Sequence, residues 1–186
     1  MQISNGAGGV VSNAGVDAEN RLLTYATSRP EALQYNLKGQ AYVVPIAVTP
    51  GSAGNVFFFL GSNTSSRSVV VDLINLVGST ETIDVCIGSW SSPVVTGDTG
   101  AAPVKKQVSG SNSCEWSASV GTSISISPAH TVIDSFRVPG YYVTSSSIVV
   151  PPGYALSLKA VSGSVALKGA VHFYLLDGTT MGSWSE

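Results

Sequence analysis

The chain has 186 residues, enough for one all-β domain or two small ones with a substantial core. Only 11% of them are charged, less than half the usual share, and the formal net charge is -2 with Lys and Arg scattered along the chain. Such a surface offers no electrostatic footprint for a phosphate backbone or an anionic bilayer, so neither nucleic acid nor a membrane is expected as a partner.

Residues 1–16 carry no charge and include Gly6, Gly8, Gly9 and Gly15, which predicts an extended N-terminal arm outside the core. Met1 leads into Gln2-Ile3-Ser4 without a basic or an apolar leader region, so no signal peptide is expected. The segment from Asp17 to Thr27 holds one candidate strand. From there to about Asp177, strand patterns follow one another between Gly, Pro, Asn and Ser punctuation, and no helix pattern stands out.

Ala41 to Thr49 is apolar on both faces and Asn55 to Leu60 is apolar throughout, so both read as core strands. Ser68 to Val77 and Thr82 to Gly88 read as two further strands, the second with Ile83, Val85 and Ile87 turned inward. Ser91 to Ser113, with Pro93, Gly97, Gly100, Pro103 and Gly110, reads as an exposed loop. Strands then follow over Cys114 to Val120, Thr131 to Val138, Ser147 to Val150, Tyr154 to Ala160 and Val165 to Leu176. Pro139-Gly140 reads as a turn. The last strand is the clearest, with Val171 and Phe173 on its core face and Lys168, His172 and Tyr174 opposite. Roughly nine short strands without helices predict an antiparallel jelly-roll β-sandwich over 17–177, followed by a C-terminal tail at 178–186.

Candidate chemistry is sparse. His130 and His172 are the two histidines, and neither sits in a metal or nucleophile motif. His130 is expected to make a solvated pair with Asp134 and His172 an ordinary packing or intersubunit contact. The carboxylates are too dispersed along the chain to assemble a glycosidase pair by spacing, so no catalytic residue, metal site or cofactor is expected. Cys86 and Cys114 fall on faces of different character, which favours two free thiols while leaving a bridge open. Asn63-Thr64-Ser65 reads as a turn rather than a glycosylation site. Tyr141, Tyr142 and Trp184 are candidate surface aromatics that could stack on a sugar or lie between subunits.

Two segments carry a resemblance. Val16-Asp17-Ala18-Glu19-Asn20-Arg21-Leu22-Leu23 resembles the V-D-x-x-N-R-L stretch near the N-terminus of tailed-bacteriophage virion proteins. The run from Ile148 through Pro151-Pro152-Gly153 to Leu158, with Ala170-Val171-His172-Phe173-Tyr174-Leu175, looks like the closing strands of capsid decoration (cement) and head-fibre jelly rolls. The resemblance implies a homotrimer on the outer surface of the phage head, bound to the major capsid protein and without catalysis. Val10, Val11, Val16, Asp17, Asn20, Arg21 and Leu22 would then form the capsid contact. The alternative is a receptor- or carbohydrate-binding head of a tail or fibre. Trimerisation is expected to bury the surplus apolar faces of Phe57, Phe59 and the Ala41 to Thr49 strand.

Overall fold

The computed structural model describes residues 38–106 and 113–176, with the backbone alone over 140–147, and the short strands β1 (Gln2–Ile3) and β2 (Ser12–Asn13). The chain divides into two units, Met1–Pro30 and Glu31–Glu186. In the first, β1 and β2 pair antiparallel, Gln2 opposite Asn13 and Ile3 opposite Ser12. The expectations placed on Val10, Val11, Val16, Asp17, Asn20, Arg21, Leu22 and Trp184 lie outside the described residues.

The second unit is all-β and antiparallel, a curled sheet with no helix among the described residues. Its strands are β3 (Ala41–Val48), β4 (Val56–Gly61), β5 (Val69–Ser89), β6 (Val94–Thr96), β7 (Val104–Lys105), β8 (Ser117–Ser125), β9 (Thr131–Val150), β10 (Tyr154–Ala160) and β11 (Leu167–Leu175). The 21-residue β5 is the spine. The 20-residue β9 runs along one of its edges, while β10 and β11 share the other end to end, Ala160 opposite Ile83 and Lys168 opposite Val77. Beside β10 the order continues β4, β8, β6; beside β11 it continues β3, β7. Two sub-sheets therefore diverge from one spine.

Two of the expected breaks are corrected here. Gly78-Ser79-Thr80 does not end a strand and Pro139-Gly140 is not a turn: β5 and β9 both continue through them. Between the pairs Leu76–Gly140 and Glu81–Val138, β5 carries Val77 to Thr80 and β9 only Pro139, so the ladder is interrupted by an enlarged bulge. Pro139 has no N–H to contribute to a ladder, and here the ladder asks for none. The third chain at this level, 161–166 between β10 and β11, is also out of register and includes Ser162-Gly163-Ser164. All three chains interrupt at one crease, which lets the sheet curl.

The crease is closed by Glu81, whose side chain is buried at 2% exposure. Its Oε1 accepts the backbone N–H groups of Thr82 (2.8 Å) and Ser162 (2.9 Å), and its Oε2 accepts that of Gly163 (2.8 Å). Ser162 and Gly163 belong to chain that has left the ladder, and Thr82 lies on the stretch of β5 between its β11 and β10 partners, so the carboxylate supplies the acceptors that a neighbouring strand would have supplied. Gly163 is required there: its φ is +72° and a Cβ would lie 2.2 Å from the Ser52 carbonyl carbon.

A single core forms between the sub-sheets. The row Val85–Leu158–Phe58–Val120 crosses one and the row Ile74–Val171–Val44 crosses the other, all at 0% exposure and all in one cluster. Trp116 closes one end, its Nε1–H donated to the Arg67 carbonyl at 3.2 Å. Phe57 and Phe59 are buried within the chain itself, so neither supplies surface for a trimer contact, while the β3 strand leaves Pro45 and Ala47 exposed. The Ser91 to Ser113 stretch is also corrected: β6 pairs with β8 and β7 with β3, so it supplies two short outer strands rather than only a loop.

Phe173 is fully buried and stacks on Tyr42 with ring centroids 5.6 Å apart. Replacing Phe173 with Ala is expected to cost about 3–5 kcal/mol in denaturant unfolding, the range for emptying a buried aromatic site. A loss below about 1 kcal/mol would show that this side chain does not fill the core as described.

Candidate functional site

Polar side chains that could do chemistry collect on the outer face of β5, β10 and β4. Alternation turns Asp84, Cys86 and Gly88 of β5 outward, and register sets Lys159, Ser157 and Ala155 of β10 opposite them. Phe59 and Gly61 of β4 continue the second and third of these rows. The connection 126–130 leaves β8 beyond β4 and enters β9 beyond β5, so it has to pass across this face. Four interstrand spacings make about 19 Å, and the steps from Ser125 to Thr131 reach about 20 Å when fully extended. The connection is a taut strap.

His130 fastens its far end. Its ring lies 6.0 Å from that of Phe59, with Nδ1 2.9 Å from Ser157 Oγ and Nε2 3.3 Å from the Ser89 carbonyl oxygen. A carbonyl only accepts, so Nε2 carries the hydrogen and Nδ1 accepts the Ser157 hydroxyl proton. These partners replace the expected pairing with Asp134. Burial pushes the His130 pKa down, against a smaller upward pull from its bond to Ser89. Gly88 makes the room: a Cβ there would lie 2.3 Å from His130 Cδ2. Gly61 does the same under Trp90, at 2.6 Å from its Cδ1.

The rest of the face is internally paired. Ser135 on β9 donates its hydroxyl to Asp84 Oδ1 at 2.7 Å, and Lys159 Nζ lies 3.0 Å from Asp84 Oδ2, so a polar row spans three strands. Cys86 is a free thiol at 3% exposure, its pKa raised chiefly by burial. A cleft of about 350 Å³ opens beside the strap, lined by Val56, Ile124, Ile126, Ser157 and Lys159 among others. A serine hydroxyl held by an imidazole that a third group orients has the layout of a nucleophile and its base. Ser157 is at 0% exposure, and its bond to His130 anchors the strap.

A second cavity of about 370 Å³, lined by Tyr42, Arg67, Lys105, Cys114 and Glu115 among others, lies where β3 meets the chain entering β8. Glu115 is taken up by Arg67 at 3.4 Å and by the Ser65 hydroxyl at 2.9 Å, while Ser62 donates to the Glu115 carbonyl. Cys114 is a free thiol whose pKa burial pushes up to about 11. His172 sits half-buried on the outer face of β11; burial and the Lys106 ammonium lower its pKa, and Asp72 opposes them. Among the described residues no group of three or more His, Cys, Asp or Glu is placed to hold a metal, and no helix is long and apolar enough to cross a membrane. Tyr141 and Tyr142 lie on β9, paired with Asn75 and Ile74.

The sequence reading missed the His130–Ser157 contact, because the two are 27 positions apart. A usable signal was present: Gly88 closing one strand pattern and Gly61 directly after another mark places where something approaches the backbone closely.

Gly88→Ala is expected to displace His130 and cost about 1–3 kcal/mol, as overpacking does, measured by urea unfolding together with loss of the Ser157 contact by NMR. Both thiols should react with iodoacetamide at pH 8 at least tenfold more slowly in the native protein than in urea, because burial covers Cys86 and the raised pKa of Cys114 keeps it protonated. Equal rates would contradict the placement of Cys86 and Cys114.

Comparison with family models, with curated proteins and with solved structures finds no match to this chain, so the functional reading rests on its residues and their geometry.

Proposed function

We propose that this protein is a structural, non-catalytic component of a tailed-phage particle: a decoration protein on the outer surface of the head, bound to the major capsid protein. The two sub-sheets that diverge from β5 and enclose one core are what a jelly roll would supply, and the closing strands β10 and β11 carry the resemblance to cement and head-fibre proteins. The polar residues of the outer face are committed to one another, so the chain works through contact surface.

One observation carries the reading. At the start of β9, Val132 and Ile133 are 44% and 49% exposed, with Ile133 the extra residue of a bulge between the pairs Val85–Asp134 and Cys86–Val132. Two adjacent exposed apolar residues, at the rim of a sheet with little charge, suit a protein–protein contact better than solvent. With Phe57 and Phe59 satisfied inside the chain, this rim is where a homotrimer or a capsid contact would draw its apolar area.

The double substitution Val132→Asp/Ile133→Asp tests it. Light scattering of the purified protein should change from trimer to monomer, or its occupancy on purified capsids should fall at least tenfold, while circular dichroism and unfolding midpoint stay unchanged. Unchanged mass and unchanged occupancy would reject the rim as the contact. Imaging of whole particles should place the protein on the head lattice; density confined to the tail tip would instead favour the receptor-binding reading.

A further inference from the structure

The strap at 126–130 covers an apolar cluster. Phe59, Ile124 and Ala155 are buried beneath it and beside Trp90, with Val56, Val95 and Ile126 packed at their margin. A five-residue strap without slack has one polar fastening on this face, the His130 ring, since both ring nitrogens are bonded to the sheet or to the end of β5. We propose that the strap is an acid-released cover: neutral His130 holds it closed over the Phe59–Ala155–Ile124 cluster, and protonation of His130 frees it and uncovers that cluster.

The geometry carries the argument. In the closed arrangement Nε2–H meets the Ser89 carbonyl and Nδ1 must be a bare acceptor for the Ser157 hydroxyl. A proton added at Nδ1 points at Ser157 Oγ, whose own hydrogen then has to turn away. Ser157 is fully buried, and its neighbour across the ladder is the Cys86 thiol, a weak acceptor.

The surrounding charges do not compensate. On β10 the Lys159 ammonium lies two residues from Ser157 on the same face. On β5, Asp84 is already bonded to Lys159 and Ser135, and Cys86 is a protonated thiol. β4 carries no titratable side chain, and the end of β8 contributes Ser123, Ile124 and Ser125. Asp134 of β9, four residues along, is a carboxylate whose charge would favour the imidazolium, and its Oδ1 accepts the Ser135 N–H.

The direction of the pH effect follows. Burial lowers the folded-state pKa of His130 below the unfolded value of about 6.5, so the stabilisation of the closed strap is fully present above that pH. It is lost as pH falls through the lower, folded value. His130 lies outside the β5–β9 ladder, which begins at the pair Ile87–Thr131, so release of the strap, rather than unfolding of the sheet, is the expected response.

Hydrogen exchange of the full chain, followed by mass spectrometry between pH 7.5 and 5 and divided by intrinsic rates, tests the proposal. The peptide covering 123–133 should lose protection at least tenfold with a midpoint below pH 6.5, while the peptide covering Val171 to Leu175 keeps its protection. In His130→Gln, which can hydrogen-bond but not become cationic, the strap should exchange equally at both pH values; in His172→Gln the acid response should persist. Binding of a solvatochromic dye to the uncovered cluster should follow the same pH curve. Constant protection of 123–133 in the wild-type protein, parallel loss throughout the chain, or an acid response that survives in His130→Gln or vanishes in His172→Gln would each overturn it.

Discussion

A strand that changes neighbours midway leaves backbone amides with no ladder to join, and the whole unit depends on how this chain satisfies them. At the crease, β5 has lost β11 and not yet met β10, and the amides of Thr82, Ser162 and Gly163 turn to the buried Glu81 carboxylate instead. An isolated carboxylate in an apolar interior is costly, but one that accepts three backbone N–H groups is satisfied and directional. The arrangement explains why a chain with so few charges places one of them at 2% exposure. It also ties the chain between β10 and β11 to the spine at the point where the two sub-sheets part.

The same economy governs the outer face. Asp84, Lys159 and Ser135 form one row, and Cys86, Ser157 and His130 cluster around the next; each is used to hold strands or the strap in place. The first row is partly exposed and stabilises little, whereas Ser157 and Cys86 of the second are buried, where a polar group has to be bonded to be tolerated. With the polar groups of this face turned on one another, the exposed apolar pair Val132 and Ile133 is what the proposed assembly contact rests on. That is the physical basis for reading the protein as a surface component of an assembly.

Much of the core was legible because alternation is a local signal. Ile83 and Val85 inward, and Val171 and Phe173 inward, follow from period-2 patterning and are found so. The crease was misread for a definite reason: Gly78-Ser79-Thr80, Pro139-Gly140 and Ser162-Gly163-Ser164 mark where pairing stops, and a stop in pairing looks the same in sequence whether the chain reverses or runs straight on. Three such interruptions, at matched positions in strands that lie side by side, specify a bend, but the matching needs the register. Tyr174 was placed on the polar face and is buried there, packed with Ala41 and Val70 in a small second cluster. Gly88 signals a close approach to its strand, but a serine in a strand has no pattern that names its partner, so sequence alone does not join His130 to Ser157.

The central claim is that Glu81 joins the two sub-sheets into one cooperative unit. Equilibrium unfolding of Glu81→Ala, read separately by hydrogen exchange in β11 and in β10, tests this most directly. Leaving three amides without acceptors should lower stability by about 2–4 kcal/mol, with both strands losing protection together in one transition. Loss of protection limited to 161–166, with β10 and β11 unchanged and global stability within about 0.5 kcal/mol of the wild-type protein, the spread of an ordinary surface substitution, would contradict it.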